Sequence, residues 1–158
     1  MVQALAAKML QHGVKPELEC FDLGMINYGA YLLKKGLIEG PCYWNLLFGN
    51  IAGMQAHDKH IEAALSTIPA SGEHVIAFGG LGEHQFTAVL KAMKHGLGVR
   101  TGLEDNIWMD PERTRPASNA DLLRWAHARM SEHGFEVMKS SMLGELGFYH
   151  ADHLARVQ

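Results

Sequence analysis

Ile61-Glu62-Ala63-Ala64-Leu65-Ser66-Thr67-Ile68-Pro69-Ala70-Ser71-Gly72-Glu73-His74-Val75-Ile76-Ala77-Phe78 reads as three pieces in a row. Ile61, Ala64, Leu65 and Ile68 recur at i, i+3, i+4 and i+7, the spacing of one helical face. Pro69-Ala70-Ser71-Gly72 is turn chemistry, and His74 to Phe78 is an apolar run of strand length. The order is therefore helix, turn, strand, and the same order recurs in both directions along the chain. Upstream, Val2, Leu5, Ala6 and Met9 make a helical stripe that stops at His12-Gly13 before Glu17-Leu18-Glu19-Cys20-Phe21. Met25 to Lys35 ends at Gly36, and Pro41 leads into Tyr43-Trp44-Asn45-Leu46-Leu47-Phe48. Downstream, Phe86, Val89, Leu90 and Met93 share a face, Gly96 caps them, and Val99 to Leu103 reads as a strand. Ser118-Asn119-Ala120-Asp121 then starts a last long helix that ends near Gly134.

Strands that alternate with helices predict an α/β fold with a parallel sheet, because parallel neighbours need a crossover between them. The four strand starts, near 17, 43, 74 and 98, are spaced by roughly 30 residues, the share of one unit in a (β/α)8 barrel. The chain has the length of half such a barrel, and a compact doubly wound sheet of four or five strands fits the same pattern. Phe135-Glu136-Val137-Met138 fits either a fifth short strand or a link to a small helix around Met142 to Leu146. No low-complexity segment interrupts the chain, so residues 1–158 are expected to be a single domain.

Composition narrows the function classes. Of 158 residues 47% are apolar and 20% charged, enough for a sizeable core and unlike a disordered chain. A net charge of -3, without an acidic or basic half, gives nothing for a polyanion or membrane face to grip. No apolar run approaches the ~20 residues of a bilayer span. Met1-Val2-Gln3-Ala4-Leu5 lacks the pattern of a secretory leader, and two cysteines, Cys20 and Cys42, make no disulfide framework. A cytoplasmic protein with both cysteines in the core is expected.

The polar residues of the strands carry the chemistry. In Val99-Arg100-Thr101-Gly102-Leu103-Glu104-Asp105-Asn106, a strand period of two puts Arg100, Gly102 and Glu104 on one face, with Asp105 and Asn106 at the C-terminal end where parallel α/β folds bind ligands. A strand-end ion pair serving register would look the same. Glu17, Glu19 and Phe21 share a face of the first strand, which suits either a wet edge or a barrel interior with an arginine such as Arg100 opposite. Gly79-Gly80-Leu81-Gly82, between strand and helix, could cradle a phosphate or simply make a tight turn. The pairs His57/His60 and His150/His153 have a spacing that could hold a metal, with solvated surface as the plainer reading.

Arg100-Thr101-Gly102-Leu103-Glu104-Asp105-Asn106 resembles the V-R-x-G-L-E-D-N signature of the β-keto acid cleavage enzymes, typified by 3-keto-5-aminohexanoate cleavage enzyme. Lys15-Pro16-Glu17-Leu18-Glu19-Cys20-Phe21-Asp22-Leu23-Gly24-Met25 resembles the family's K-P-E-x-E-x-F-D-x-G-M. Gly36-Leu37-Ile38 with Pro41 and Ser118-Asn119-Ala120 resemble two further segments, and the likeness runs to about Gly134. It implies a (β/α)8 TIM barrel that uses zinc and acetyl-CoA to cleave a β-keto acid into acetoacetate and a CoA thioester, an acyltransferase reaction. By the same resemblance Glu104 is a zinc ligand, Arg100 the cation for the keto acid or its enolate, and Asp105 the acid/base. Glu17 is then a pocket carboxylate, Glu19 and Asn106 lie near the substrate, and Gly80 and Gly82 lie near the phosphate of CoA.

The family's other zinc ligands form a His-x-His on an early strand, and none of the ten histidines here lies two residues from another. The matched segments correspond to the fifth to eighth strands, so the chain is expected to be the C-terminal half of the barrel, four parallel βα units. It would be a truncated product, a fragmentary reading frame or one half of a split protein, and would form a homo-oligomer or join a complementary half. A non-catalytic half-barrel remnant, and a phosphate-binding aldolase or isomerase resting on Gly79 to Gly82, are the alternatives. No lysine stands at a strand's C-terminal end for a Schiff base, Lys15 preceding its strand.

Overall fold

The computed structural model describes residues 1–148. Helix α1 (Val2–Gln11) precedes β1 (Glu17–Cys20), and α2 (Leu23–Lys34), β2 (Cys42–Phe48), α3 (Asp58–Thr67), β3 (His74–Gly80), α4 (His84–Lys94) and β4 (Gly98–Val99) follow in alternation. Helices α5 (Asn119–Glu132) and α6 (Ser140–Glu145) complete it. The strands form one sheet in the order β1-β2-β3-β4, every pair parallel. Sequential order has no reversal and hence none of the switch points that define a doubly wound sheet.

Register divides the sheet into two faces. Leu18, Cys20, Trp44, Leu46, Phe48 and Phe78 point to one side, where they pack with Ile26 and Leu32 of α2, Ile61 and Ala64 of α3 and Ala88 and Ala92 of α4. Phe48 and Phe78 meet edge to face at 5.1 Å. This is the core, and Cys20 and Cys42 are buried in it. Burial first, then the charges of Asp22 and Glu19, pushes the Cys20 thiol up to about 12. The other side carries Glu17, Glu19, Tyr43, Asn45, Val75, Ala77 and Gly79, and no helix of the alternating series covers it. A sheet greasy on one side and polar on the other has its chemistry on the polar side.

One element differs from the sequence reading. The strand expected over Val99 to Leu103 is Gly98–Val99 only, extended by the Arg100 N–H donating to Phe78 O at 2.8 Å, after which the chain turns. Of the two readings of Phe135 to Met138 the structure has the link, an irregular segment that leads into α6. Helix α5 begins as its sequence asks: Ser118 Oγ accepts from Asp121 N and the Asp121 carboxylate accepts from Ser118 N, a reciprocal cap. No helix among the described residues is long and apolar enough to cross a membrane.

Candidate active site

The polar face is drawn together by one residue. On a flat sheet β1 and β4 would lie three strand spacings, about 14 Å, apart. Yet Arg100, just past β4, donates from Nη1 to Glu19 Oε1 of β1 at 2.6 Å. Arg100 therefore bridges the polar face from one edge strand to the other, and it does so at the C-terminal end of β4.

Arg100 is gripped on three sides. Its Nε donates to Asp105 Oδ2 at 2.9 Å and Nη2 to Asp105 Oδ1 at 3.1 Å, the fork that suits a carboxylate. Nη2 also reaches Glu104 Oε2 at 2.8 Å. Four of the five guanidinium N–H groups are thus engaged, one being left for an incoming oxyanion. The hydrogen bond to Asp105 is the main cause holding the guanidinium above its ordinary pKa; burial opposes it, and the charges of Asp105, Glu104 and Glu19 add to it. The three carboxylates differ in freedom: the Asp105 side chain is 3% exposed, that of Glu19 43% and that of Glu104 84%. Glu104 is the partner that can leave.

This geometry departs from the strand alternation read off the sequence. Because the backbone leaves the sheet after Arg100, residues 102–106 form a helical turn in which Asp105 N and Asn106 N both donate to Gly102 O at 3.2 Å. A turn returns Asp105 under Arg100 and sends Glu104 to the rim, whereas alternation would have paired Arg100 with Glu104 and turned Asp105 away. Asn106 is buried, with its amide spent on Trp108: Nδ2 donates to Trp108 O at 2.7 Å and Oδ1 accepts from Trp108 N at 3.1 Å. It forms the turn and stands outside the Arg100 cluster. A cavity of about 240 Å³ opens beside it, walled by Gly82, Phe86, Glu104, Asp105, Trp108 and Arg113.

Glu17 lies one layer deeper toward the strand starts and accepts from Asn45 Nδ2 at 2.7 Å. Asn45 Oδ1 is buried without a partner among the described residues. The two carboxylates of β1 are therefore split: Glu19 serves Arg100, Glu17 does not. Gly80 allows α4 to start against the strand end, since a Cβ there would lie 2.3 Å from His84 O. Gly82 has φ +56°, a conformation that favours glycine, and its N–H donates to Asp105 O at 2.7 Å. The N–H groups of Leu81, His84 and Gln85 are likewise engaged with Phe48, Leu81 and Gly82 carbonyls, so this turn spends most of its donors inside the fold.

Among the described residues no three His, Cys, Asp or Glu side chains assemble into a group able to hold a metal ion. The described residues by themselves do not fit a three-ligand zinc site. His57 and His60 have ring centres 5.8 Å apart, and His60 Nδ1 accepts from Gln55 N at 2.8 Å; His150 and His153 lie outside the described residues.

Two polar residues had escaped the sequence reading. Gln85, fully buried on α4, donates from Nε2 to Gly102 O at 2.9 Å and accepts from Thr101 Oγ1 at 2.9 Å. Asn119 Oδ1 accepts from Leu103 N at 2.9 Å. The signal for Gln85 was in the sequence: it shares a helical face with Ala88, Val89 and Ala92, and a polar residue on a buried stripe needs a partner.

Residues 1–146 match the beta-keto acid cleavage enzyme family. The chain is 31% identical over 147 residues to 3-keto-5-aminohexanoate cleavage enzyme of Acetoanaerobium sticklandii, covering 92% of this chain and 52% of that protein. It is 33% identical to the enzyme of that name from Fusobacterium nucleatum, over 82% of this chain and 46% of the relative. It is 31% identical to 3-oxoadipate:acetyl-CoA acetyltransferase of Cupriavidus necator, over 85% and 47%. The chain spans about half the length of the curated relatives it matches. With a family match that runs from the first residue through α6, and relatives 31% and 33% identical over most of its length, the chain belongs to the beta-keto acid cleavage enzyme family.

Proposed function

We propose that this chain is the C-terminal half of a (β/α)8 barrel that exchanges acyl groups between a β-keto acid and acetyl-CoA. The bond between C2 and C3 of the keto acid breaks, C2 gains the acetyl group and leaves as acetoacetate, and the remaining acyl group ends on the CoA sulfur. The observation that carries this reading is the bidentate Arg100–Asp105 pair on the polar face at the strand ends. Asp105 is a carboxylate held at a fixed angle, able to take the C2 proton, and Arg100 has a spare N–H for the carboxylate or the developing enolate. Glu19 holds Arg100 from the opposite strand, and Glu17 is a second pocket carboxylate one layer below.

Zinc would polarise the β-carbonyl in such a site. Glu104 is the residue here suited to be a ligand, being exposed at the rim and bound to Arg100 through one oxygen; the other ligands would have to come from outside the described residues. Glu17, Glu19, Glu104 and Asp105 outnumber the one arginine, which favours a cation nearby. Acetyl-CoA would approach through the cavity between the start of α4 and Trp108. Of the two closing partners expected from the sequence, a complementary half suits the topology better than a second copy. Helix α1 precedes β1 and α5 follows β4, so a copy would bring two helices to every seam, where a barrel has room for one. A half with four strands and three intervening helices makes the count eight.

The test is the partial reaction. With the barrel completed, C2 of a β-keto acid should exchange its protons for deuterium faster than in buffer, followed by NMR, and Asp105→Asn should abolish the acceleration. Equal exchange in the variant would remove Asp105 from the chemistry.

A further inference from the structure

We propose that Gln85 is a positioning residue which sets the Asp105–Arg100 pair through the backbone at Thr101 and Gly102. The functional weight of this role rests on the reading of Asp105 above. Arg100 lies on the sheet and Asp105 on the turn, and only Thr101 to Glu104 separate them. The conformation of those four residues decides whether the fork forms. Gln85 holds the first two: its Nε2–H donates to Gly102 O and its Oε1 accepts the Thr101 hydroxyl, both at 2.9 Å. The Gly102 carbonyl is also the acceptor for Asp105 N and Asn106 N, so the amide fixes the atom on which the turn is closed. Gly82 N to Asp105 O and Leu103 N to Asn119 Oδ1 hold the same turn from two other sides.

Packing alone gives no reason for a glutamine here. Its neighbours on the buried stripe of α4 are Ala88, Val89 and Ala92, and an apolar side chain of similar length would bury as well without an amide to satisfy. Gln85 caps nothing on its own helix; both ends of its amide go to the segment after β4. A buried amide whose two bonds go to the Gly102 carbonyl and the Thr101 hydroxyl, both beside the reactive pair, is arranged to hold that pair.

The readout is the Arg100 Nε–H, which points at Asp105 Oδ2. In the 15N-labelled chain it should exchange slowly with solvent. Gln85→Glu keeps the shape and the acceptor but loses the donor, Gln85→Leu loses both, and Thr101→Val removes the hydroxyl from the other side. Gln85→Glu and Thr101→Val should each speed exchange of that one proton by about tenfold, the worth of one hydrogen bond lost from the clamp, and Gln85→Leu by more, while amides of β2 and β3 keep their protection. Protection of Nε–H unchanged in Gln85→Glu and Thr101→Val, whatever the melting temperature does, would overturn the proposal and leave Gln85 a packing residue. Should Gln85→Leu fail to fold, the other two variants decide. The experiment needs no turnover, so an absence of acetoacetate release with a protected Nε–H would count against the proposed reaction and not against the clamp.

Discussion

Arg100 shows how a grouping can be legible while its geometry is not. That Arg100, Glu104 and Asp105 lie together was readable from their spacing, and Arg100 does reach Glu104. That Asp105 also faces the arginine, through both oxygens, was not readable, because alternation holds only while the strand lasts, and β4 ends at Val99. Asp105, with both oxygens on Arg100, would have to surrender the fork to ligate a metal; Glu104, exposed and held by one oxygen, would not. In a completed barrel Glu104→Gln should therefore lose zinc, as a neutral amide is the weaker ligand. Asp105→Asn should keep zinc and lose roughly 10²- to 10⁴-fold in rate. Metal analysis paired with steady-state acetoacetate release checks both, and the opposite pattern would exchange the two roles. Arg100→Lys should behave like Asp105→Asn, since an ammonium cannot reproduce the fork. Cys20, with its thiol pushed up to about 12 by burial, should resist iodoacetamide at pH 8 until denaturant is added; rapid alkylation of the folded chain would contradict its core position.

At the scale of elements, periodicity read the alternation well. The helical stripes and apolar runs mark α1 to α4 and β1 to β4 because each element buries one face against the same core. Ends were harder: the strand expected past Val99 gives way to a turn, and at Phe135 the pattern left a strand and a link equally open, since an apolar residue or two carries no period. The start of α5 was legible since Ser118 and Asp121 cap it locally. Ser118→Ala should cost about 1 kcal/mol in thermal or urea unfolding. Hydrogen bonding from the Ser118 side chain, then from Arg124, holds the Asp121 carboxyl below its ordinary value. A depressed acid contributes stability that is present above its unfolded pKa and lost as pH falls through the folded one. Asp121→Asn should accordingly destabilise at neutral pH and lose that penalty in acid, below about pH 4; a penalty independent of pH would contradict the cap.

Over the whole molecule the open questions are edges and faces. Among the described residues β1 and β4 each leave one side of the backbone unpaired, and each borders a groove. The first, of about 640 Å³, runs between α1 and α2 past Leu5, Met9, Leu18 and Tyr28. The second, of about 750 Å³, runs from Leu97 and Val99 beneath Leu123 and Met130 of α5 and past Val137 onto Glu17, Asn45 and Arg100 of the polar face. Val2, Leu5, Tyr28, Leu123 and Val137 are exposed large hydrophobics along them. Such edges drive association, so the chain alone should sediment as associated species at micromolar concentration and retain little zinc after dialysis; a compact monomer with stoichiometric zinc would oppose the half-barrel reading. Sequence reached this picture by resemblance, since spacing alone left a doubly wound sheet open until the strand order was known. The most direct test is to titrate the chain with a separately expressed N-terminal half of the Acetoanaerobium sticklandii relative and follow acetoacetate release from a β-keto acid and acetyl-CoA. Activity and bound zinc should rise together and level off at one half to one half, and vanish with Asp105→Asn. Full activity from the chain alone, or none at any ratio despite a stable complex of the two halves, would contradict the account.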